Sequence, residues 1–195
     1  TEAAWKAMQK GGTALDGVEA GVRVPEADPK DNSVGYGGLP DREGKVTLDA
    51  CIMDKDGNAG SVTFLQNIMH PISVARKVME TTPHVMLSGE GALQFALANG
   101  FVKENLLTDE SKKAWEEWKK TAKYAPVINS ENHDTIGMLA LDKENNISGA
   151  CTTSGNGTTM TCGSSGPFRT IGEGVMAMSP GRSLVIRGPH GSFDK

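Results

Sequence analysis

Asn132-His133-Asp134-Thr135 stands where a polar connector meets an apolar run, Ile136-Gly137-Met138-Leu139-Ala140-Leu141. A threonine hydroxyl is a weak nucleophile until a base takes its proton. If the peptide bond before Thr135 is broken, the residue's own α-amine becomes that base. An α-amine titrates near about pH 8, so a useful neutral fraction exists at neutral pH. Base and nucleophile then belong to one residue, and a rigid strand beginning at Thr135 would hold both in place. Taken alone, the triplet His133-Asp134-Thr135 would serve equally well as a loop end or a helix N-cap.

The other chemically capable residues form no constellation. Cys51, Cys151 and Cys162 are far apart, with no CxxC pair, and an odd count cannot pair completely within the chain. Cys51 and Cys151 lie in apolar runs and read as buried free thiols. His70, His84 and His190 have no cysteine or carboxylate at ligand spacing, so no metal site is expected. Asn146-Ile147-Ser148 and Asn156-Gly157-Thr158 fit the glycosylation pattern, which carries meaning only on a secretory route. With 24 acidic against 20 scattered basic residues and a net charge of −4, nucleic acid is not an expected partner. No stretch approaches the apolar length of a membrane span.

The elements that must position Thr135 follow from periodicity and turn residues. Residues 1–10 read as a helix ended by Gly11-Gly12. Thr13 caps a second helix through about Val24, with Ala14, Leu15, Val18 and Val22 on one face. Its Gly17 and Gly21 would admit a close neighbour. Residues 25–32 read as a polar turn before Ser33-Val34-Gly35-Tyr36-Gly37-Gly38, where the glycines serve structure. Lys45 to Asp54 and Ala59 to Phe64 form a hairpin about Asp56-Gly57. A helix opens at Pro71, a short strand spans His84 to Leu87, and a further helix spans Glu90 to Asn99. Ser111 caps a charged helix in which Trp115 and Trp118 make a packing stripe. A second hairpin pairs Thr135–Leu141 with Ile147–Thr153. Beyond Gly155 only Ser183 to Arg187 keeps a pattern. Helices first, then antiparallel hairpins, predict a layered α+β protein.

Several segments together resemble the glycosylasparaginases (aspartylglucosaminidases) of the N-terminal-nucleophile hydrolase superfamily. They are Asn132-His133-Asp134-Thr135-Ile136-Gly137-Met138, Gly149-Ala150-Cys151-Thr152-Thr153-Ser154-Gly155, the Ser33 to Gly38 run with Pro40-Asp41, Val46-Thr47-Leu48-Asp49-Ala50, and Pro83-His84-Val85-Met86-Leu87. The similarity runs from about Ala4 to Gly155. It implies one α+β domain, an αββα four-layer sandwich that is incomplete in this chain. It also implies self-cleavage between Asp134 and Thr135, giving segments 1–134 and 135–195.

Under the resemblance, Asp134 assists an N-to-O acyl shift and His133 helps to hold the strained loop. Thr135 is the catalytic nucleophile, and Thr153 hydrogen-bonds and tunes it. The expected reaction is cofactor-free hydrolysis of the amide joining N-acetylglucosamine to asparagine, by a homodimer of processed units. The implied location is periplasmic, secreted or lysosomal. The family's substrate-clamping arginine, its aspartate and its oxyanion Thr-Gly pair have no match in residues 156–195. Arg169 and Arg182 lie outside any matching motif, and the substrate-binding residues stay unassigned. Two alternatives stand beside this reading: a plant-type L-asparaginase or isoaspartyl peptidase, and a catalytically inactive truncated member of the family.

Overall fold

In the computed structural model the described residues are 2–121 and 135–154, with the backbone alone of 187–188 and 191–192. Helices α1 (Glu2–Gln9) and α2 (Ala14–Ala27) come first. Strands β1 (Leu48–Met53) and β2 (Ala59–Leu65) follow, then α3 (Pro71–Thr81), β3 (Met86–Ser88), α4 (Gly89–Ala98) and α5 (Asp109–Thr121). After Thr135 come β4 (Thr135–Leu141) and β5 (Ile147–Ser154), and far along the chain a two-residue ladder, β6 (Arg187–Gly188) with β7 (Gly191–Ser192). The first five strands make one sheet in the order β3-β2-β1-β5-β4.

The two predicted hairpins form because their turns are chemically specified. Gly57, at φ +84°, turns β1 into β2, and the Asp54 carboxylate accepts the Asp56 and Asn58 amides at 2.9 Å each. Asp142 does the same between β4 and β5 for Glu144 and Asn146, with Asn145 in the left-handed region. Joining the hairpins is the work of β1 and β5, which pair antiparallel from Leu48↔Ser154 to Met53↔Gly149. The sheet is mixed, not purely antiparallel as expected, because β3 pairs parallel to β2 after the α3 crossover.

One face of the sheet carries the core. Ala50, Ile52, Val62 and Ala150 point into a cluster with Val18, Val22, Ile72, Val78 and Leu93, all 6% exposed or less. The glycines of α2 allow the close approach that the sequence suggested: a Cβ on Gly21 would run into the Met138 thioether of β4. The opposite face is partly open. Leu139, Leu141 and Ile147 are 52, 56 and 44% exposed there. A four-layer sandwich buries that face against a second sheet. Among the described residues, the helix layer and the first sheet are present.

Two helix boundaries and the packing of one tryptophan depart from the sequence reading. Helix α2 runs through Pro25 to Ala27, because Asp28 N–H closes onto the Pro25 carbonyl and buried Glu26 anchors the last turn. Helix α5 starts two residues before Ser111. Thr108 is its cap, accepting the Ser111 amide at 3.2 Å, while the Ser111 hydroxyl donates to the Gly37 carbonyl. Trp115 is only half-buried, with its indole N–H donating to the Arg42 carbonyl at 3.3 Å and its ring under Lys119. Trp115 therefore packs on the 42–44 turn and not on the main core.

The tightest helix–sheet contact predicts a large stability effect. A Cβ on Gly60 of β2 would collide with the Ala75 carbonyl and lie 2.7 Å from Met79 N of α3. Backbone cannot yield as a flexible side chain does, so α3 would have to lift from the sheet. Gly60→Ala is expected to cost about 3 kcal/mol in urea unfolding. Gly137→Ala, with nothing within 4 Å of the added carbon, should stay within roughly 1 kcal/mol of the parent.

Candidate active site

Strand β4 begins at Thr135, which is exposed on the face away from the helices. Directly opposite it in register is Thr153 of β5, 1% exposed. Opposite partners in an antiparallel pair share a face with Cβ atoms about 5 Å apart. The two threonines that the resemblance makes catalytic are thus brought together, one open to solvent and one enclosed. His133 and Asp134, the other two expected processing residues, lie outside the described residues, as does Cys162.

The row extends beyond the threonines. Thr153 pairs on its other side with Asp49 of β1, 3% exposed. Here one residue of β1 faces two of β2, since Leu48 pairs with Leu65 and Ala50 with Val62. In this bulge Phe64 takes φ +53°, costly for a bulky side chain by about 1–3 kcal/mol. The bend delivers the Thr63 hydroxyl (2.8 Å) and the Phe64 amide (2.7 Å) onto the same Asp49 oxygen, Oδ1. Sequence reasoning matched Asp49 within a motif and gave it no task. The available signal was a single charge inside an apolar strand.

The next row holds Cys51 and Cys151, opposite one another and both free. Burial pushes the Cys151 thiol up to about 11, and burial together with the neighbouring sulfur raises Cys51 further still. Both are neutral at physiological pH, and a neutral thiol is a poor nucleophile. Beside Thr135 the hydroxyl, not a thiol, is the group placed to react.

From the helix face, Glu26 braces the same strand. Thr152, one residue before Thr153 and on the other side of the sheet, donates its hydroxyl to Glu26 Oε1 at 2.9 Å. The Ile72 amide reaches that oxygen at 3.2 Å, and His70 Nδ1 lies 3.2 Å from Oε2. Burial raises the Glu26 carboxyl above its ordinary range, and its hydrogen bonds oppose that shift. His70, which lacked a sequence-near partner, is thus a partnered histidine. The glycine loop closes the end of β5: the Ser154 amide donates to the Ser33 carbonyl at 2.8 Å, and Gly35, at φ +54°, packs on the Glu26 backbone. The expected structural use of these glycines matches this geometry. Among the described residues no group of His, Cys, Asp and Glu could hold a metal ion, and no helix is long and apolar enough to cross a membrane.

A helix layer on one face of a mixed sheet, with a threonine opening the edge strand, defines one half of the N-terminal-nucleophile hydrolase sandwich. The chain belongs to the Asparaginase_2 family (Asparaginase), whose profile matches residues 1–177 and so continues past Gly155. It is 67% identical over 152 residues to a protein of Elizabethkingia miricola named N(4)-(beta-N-acetylglucosaminyl)-L-asparaginase, covering 78% of this chain and 45% of that one. The rat protein of the same name is 35% identical over 186 residues, covering 80% and 54%. A plant-type L-asparaginase of Pyrococcus furiosus is 40% identical over 162 residues, covering 76% and 52%. The chain spans about half the length of the curated relatives it matches.

Proposed function

We propose that the chain is the precursor of a threonine-nucleophile amidohydrolase that cuts itself before Thr135 and then hydrolyses the amide between N-acetylglucosamine and asparagine. The observation that carries this reading is Thr135: first residue of β4, exposed, and directly opposite buried Thr153. In the first step the Thr135 hydroxyl oxygen attacks the Asp134 carbonyl carbon and the peptide C–N bond breaks. The products are an ester and a free α-amine. Water hydrolyses the ester, giving a carboxylate on Asp134 and returning the hydroxyl to Thr135. His133 and Asp134 hold and assist that step.

In turnover the freed amine takes the hydroxyl proton as the oxygen attacks the substrate's side-chain amide. The glycosylamine leaves, and water releases aspartate from the acyl-enzyme. No cofactor enters, and the processed units pair as a homodimer. The relatives named N(4)-(beta-N-acetylglucosaminyl)-L-asparaginase, the E. miricola protein above all, support this substrate. The P. furiosus relative favours a second reading, an L-asparaginase or isoaspartyl peptidase with the same threonine strategy.

Two measurements test the proposal. Intact mass and a denaturing gel should show pieces 1–134 and 135–195, and a single uncut mass in folded protein would refute it. Turnover of a glucosaminyl-asparagine should exceed that of a β-aspartyl dipeptide by at least roughly tenfold, about the discrimination that one good polar contact supplies. The reverse ratio would establish the second reading.

A further inference from the structure

Cys51 of β1 and Cys151 of β5 are partners in an antiparallel ladder that runs without a shift from Leu48↔Ser154 to Met53↔Gly149. Both are free thiols. Directly opposite residues in such a ladder share a face, with Cα atoms about 4.5–5.5 Å apart. That lies inside the span of roughly 4.4–6.8 Å that a disulfide bridges. Their Cβ atoms, about 4.5–5.5 Å apart, need to close only to about 4.5 Å or less. Access differs between the two. Cys51 is 6% exposed, while Cys151 is only partly buried. Gly137, the partner of Cys151 on β4, puts no side chain beside it, and nothing lies within 4 Å of a Cβ built on that glycine.

The place of this pair in the chain gives a bond between them a task. Strand β1 precedes the scissile bond and β5 follows it, so their ladder is a seam between the two pieces that cleavage before Thr135 leaves. We propose that Cys51 and Cys151 are a disulfide site, closed by a small-molecule disulfide, that joins the two pieces covalently across this seam. The bond itself is independent of the threonine reading, whereas its role as a link rests on that reading. In the first exchange the Cys151 sulfur attacks the small disulfide RSSR, forms a mixed disulfide and expels one RSH. The Cys51 sulfur then attacks that of Cys151 and expels the second RSH. Two protons and two electrons pass from the protein thiols to RSSR. Burial keeps both thiols protonated, so exchange starts at the more open Cys151 and quickens as pH rises toward its pKa of about 11.

Peptide mapping tests the bond on the full chain, held overnight with oxidised glutathione in mildly alkaline buffer, alkylated, and digested without reductant. The expected product is a peptide pair joining Cys51 to Cys151. Pairs that run through Cys162, or alkylated Cys51 and Cys151, overturn the proposal. On a denaturing gel the cleaved, oxidised protein should run as one band without reductant and as two, 1–134 and 135–195, with it. Cys151→Ala should give two bands either way, and a single band would place the link elsewhere and overturn the proposal. Should that variant fail to fold, the map of the wild-type chain decides alone. Diluting the cleaved protein roughly a hundredfold should lower its melting temperature in reductant and leave it unmoved when oxidised, since a linked pair cannot separate. Equal responses in the two forms overturn the linking role. A wild-type chain that stays whole overturns the threonine reading and the linking role together, while the peptide map still decides the bond.

Discussion

Thr135→Ala leaves the chain in one piece under conditions where the wild-type splits into residues 1–134 and 135–195. No other group in the row can replace it. Thr153 is enclosed, and the thiols of Cys51 and Cys151 are held neutral by burial. Losing the attacking oxygen removes the step itself, so the rate should fall on the order of 10⁴- to 10⁶-fold, as when a hydrolase loses its nucleophile. Stability should barely change, because the Thr135 side chain is exposed and surface substitutions usually stay within about 0.5 kcal/mol. Thr135→Ser keeps the oxygen and loses only a methyl, so slow cleavage should survive. Intact mass over time, with a melting curve for each variant, gives the answer. A Thr135→Ala chain that still divides before residue 135 would end the proposed mechanism.

What sequence conveyed about this site divides by distance along the chain. Strand β4 falls on the residues expected of it, Thr135–Leu141, because its hairpin is local: Asp142 and Asn146 specify the turn, and alternation follows. Gly17 and Gly21 announced a close approach and found Met8, Met138 and Ala140. Glu26 gave no such notice, and Asp49 gave only that of a single charge inside an apolar strand. Each acquires meaning from partners supplied by other elements. Thr153 lies in register with Asp49 across the β1–β5 seam, and Thr152 and His70 reach Glu26 from 126 and 44 positions away. That seam joins two hairpins separated by three helices, and no periodicity within either hairpin announces it. The misplaced end of α2 has the same origin. Proline and a polar run signalled a stop after Val24, but tertiary anchoring of Glu26 carries the helix one turn further.

Glu26→Ala should be among the most damaging side-chain truncations in the described fold. Glu26 is wholly buried, and its loss strands the Thr152 hydroxyl and the Ile72 amide and leaves a cavity between α2, α3 and β5. Unsatisfied buried groups and cavities of this size cost about 3 kcal/mol or more together. For a chain of this length that corresponds to a melting temperature lower by about 10 °C.

Glu26→Gln separates shape from charge. Burial places the folded-state pKa of Glu26 above its ordinary value of 4.5, so folding takes up a proton at this residue. Its stabilising contribution is therefore complete below about pH 4.5 and declines as pH rises through the folded-state value. Asp16 and Asp142 run the other way. Their hydrogen bonds hold them below 3.8, so their contributions are present above that value and lost in acid. The difference in stability between wild-type and Glu26→Gln cancels those background carboxylates. It should shift in favour of the glutamine variant as pH climbs from 4.5, because glutamine has no charge to keep buried. A difference that stays flat, or that shifts toward wild-type, would show that Glu26 is comfortably ionised between His70 and Thr152. The brace behind Thr153 would then be a charged carboxylate held by Thr152, Ile72 and His70.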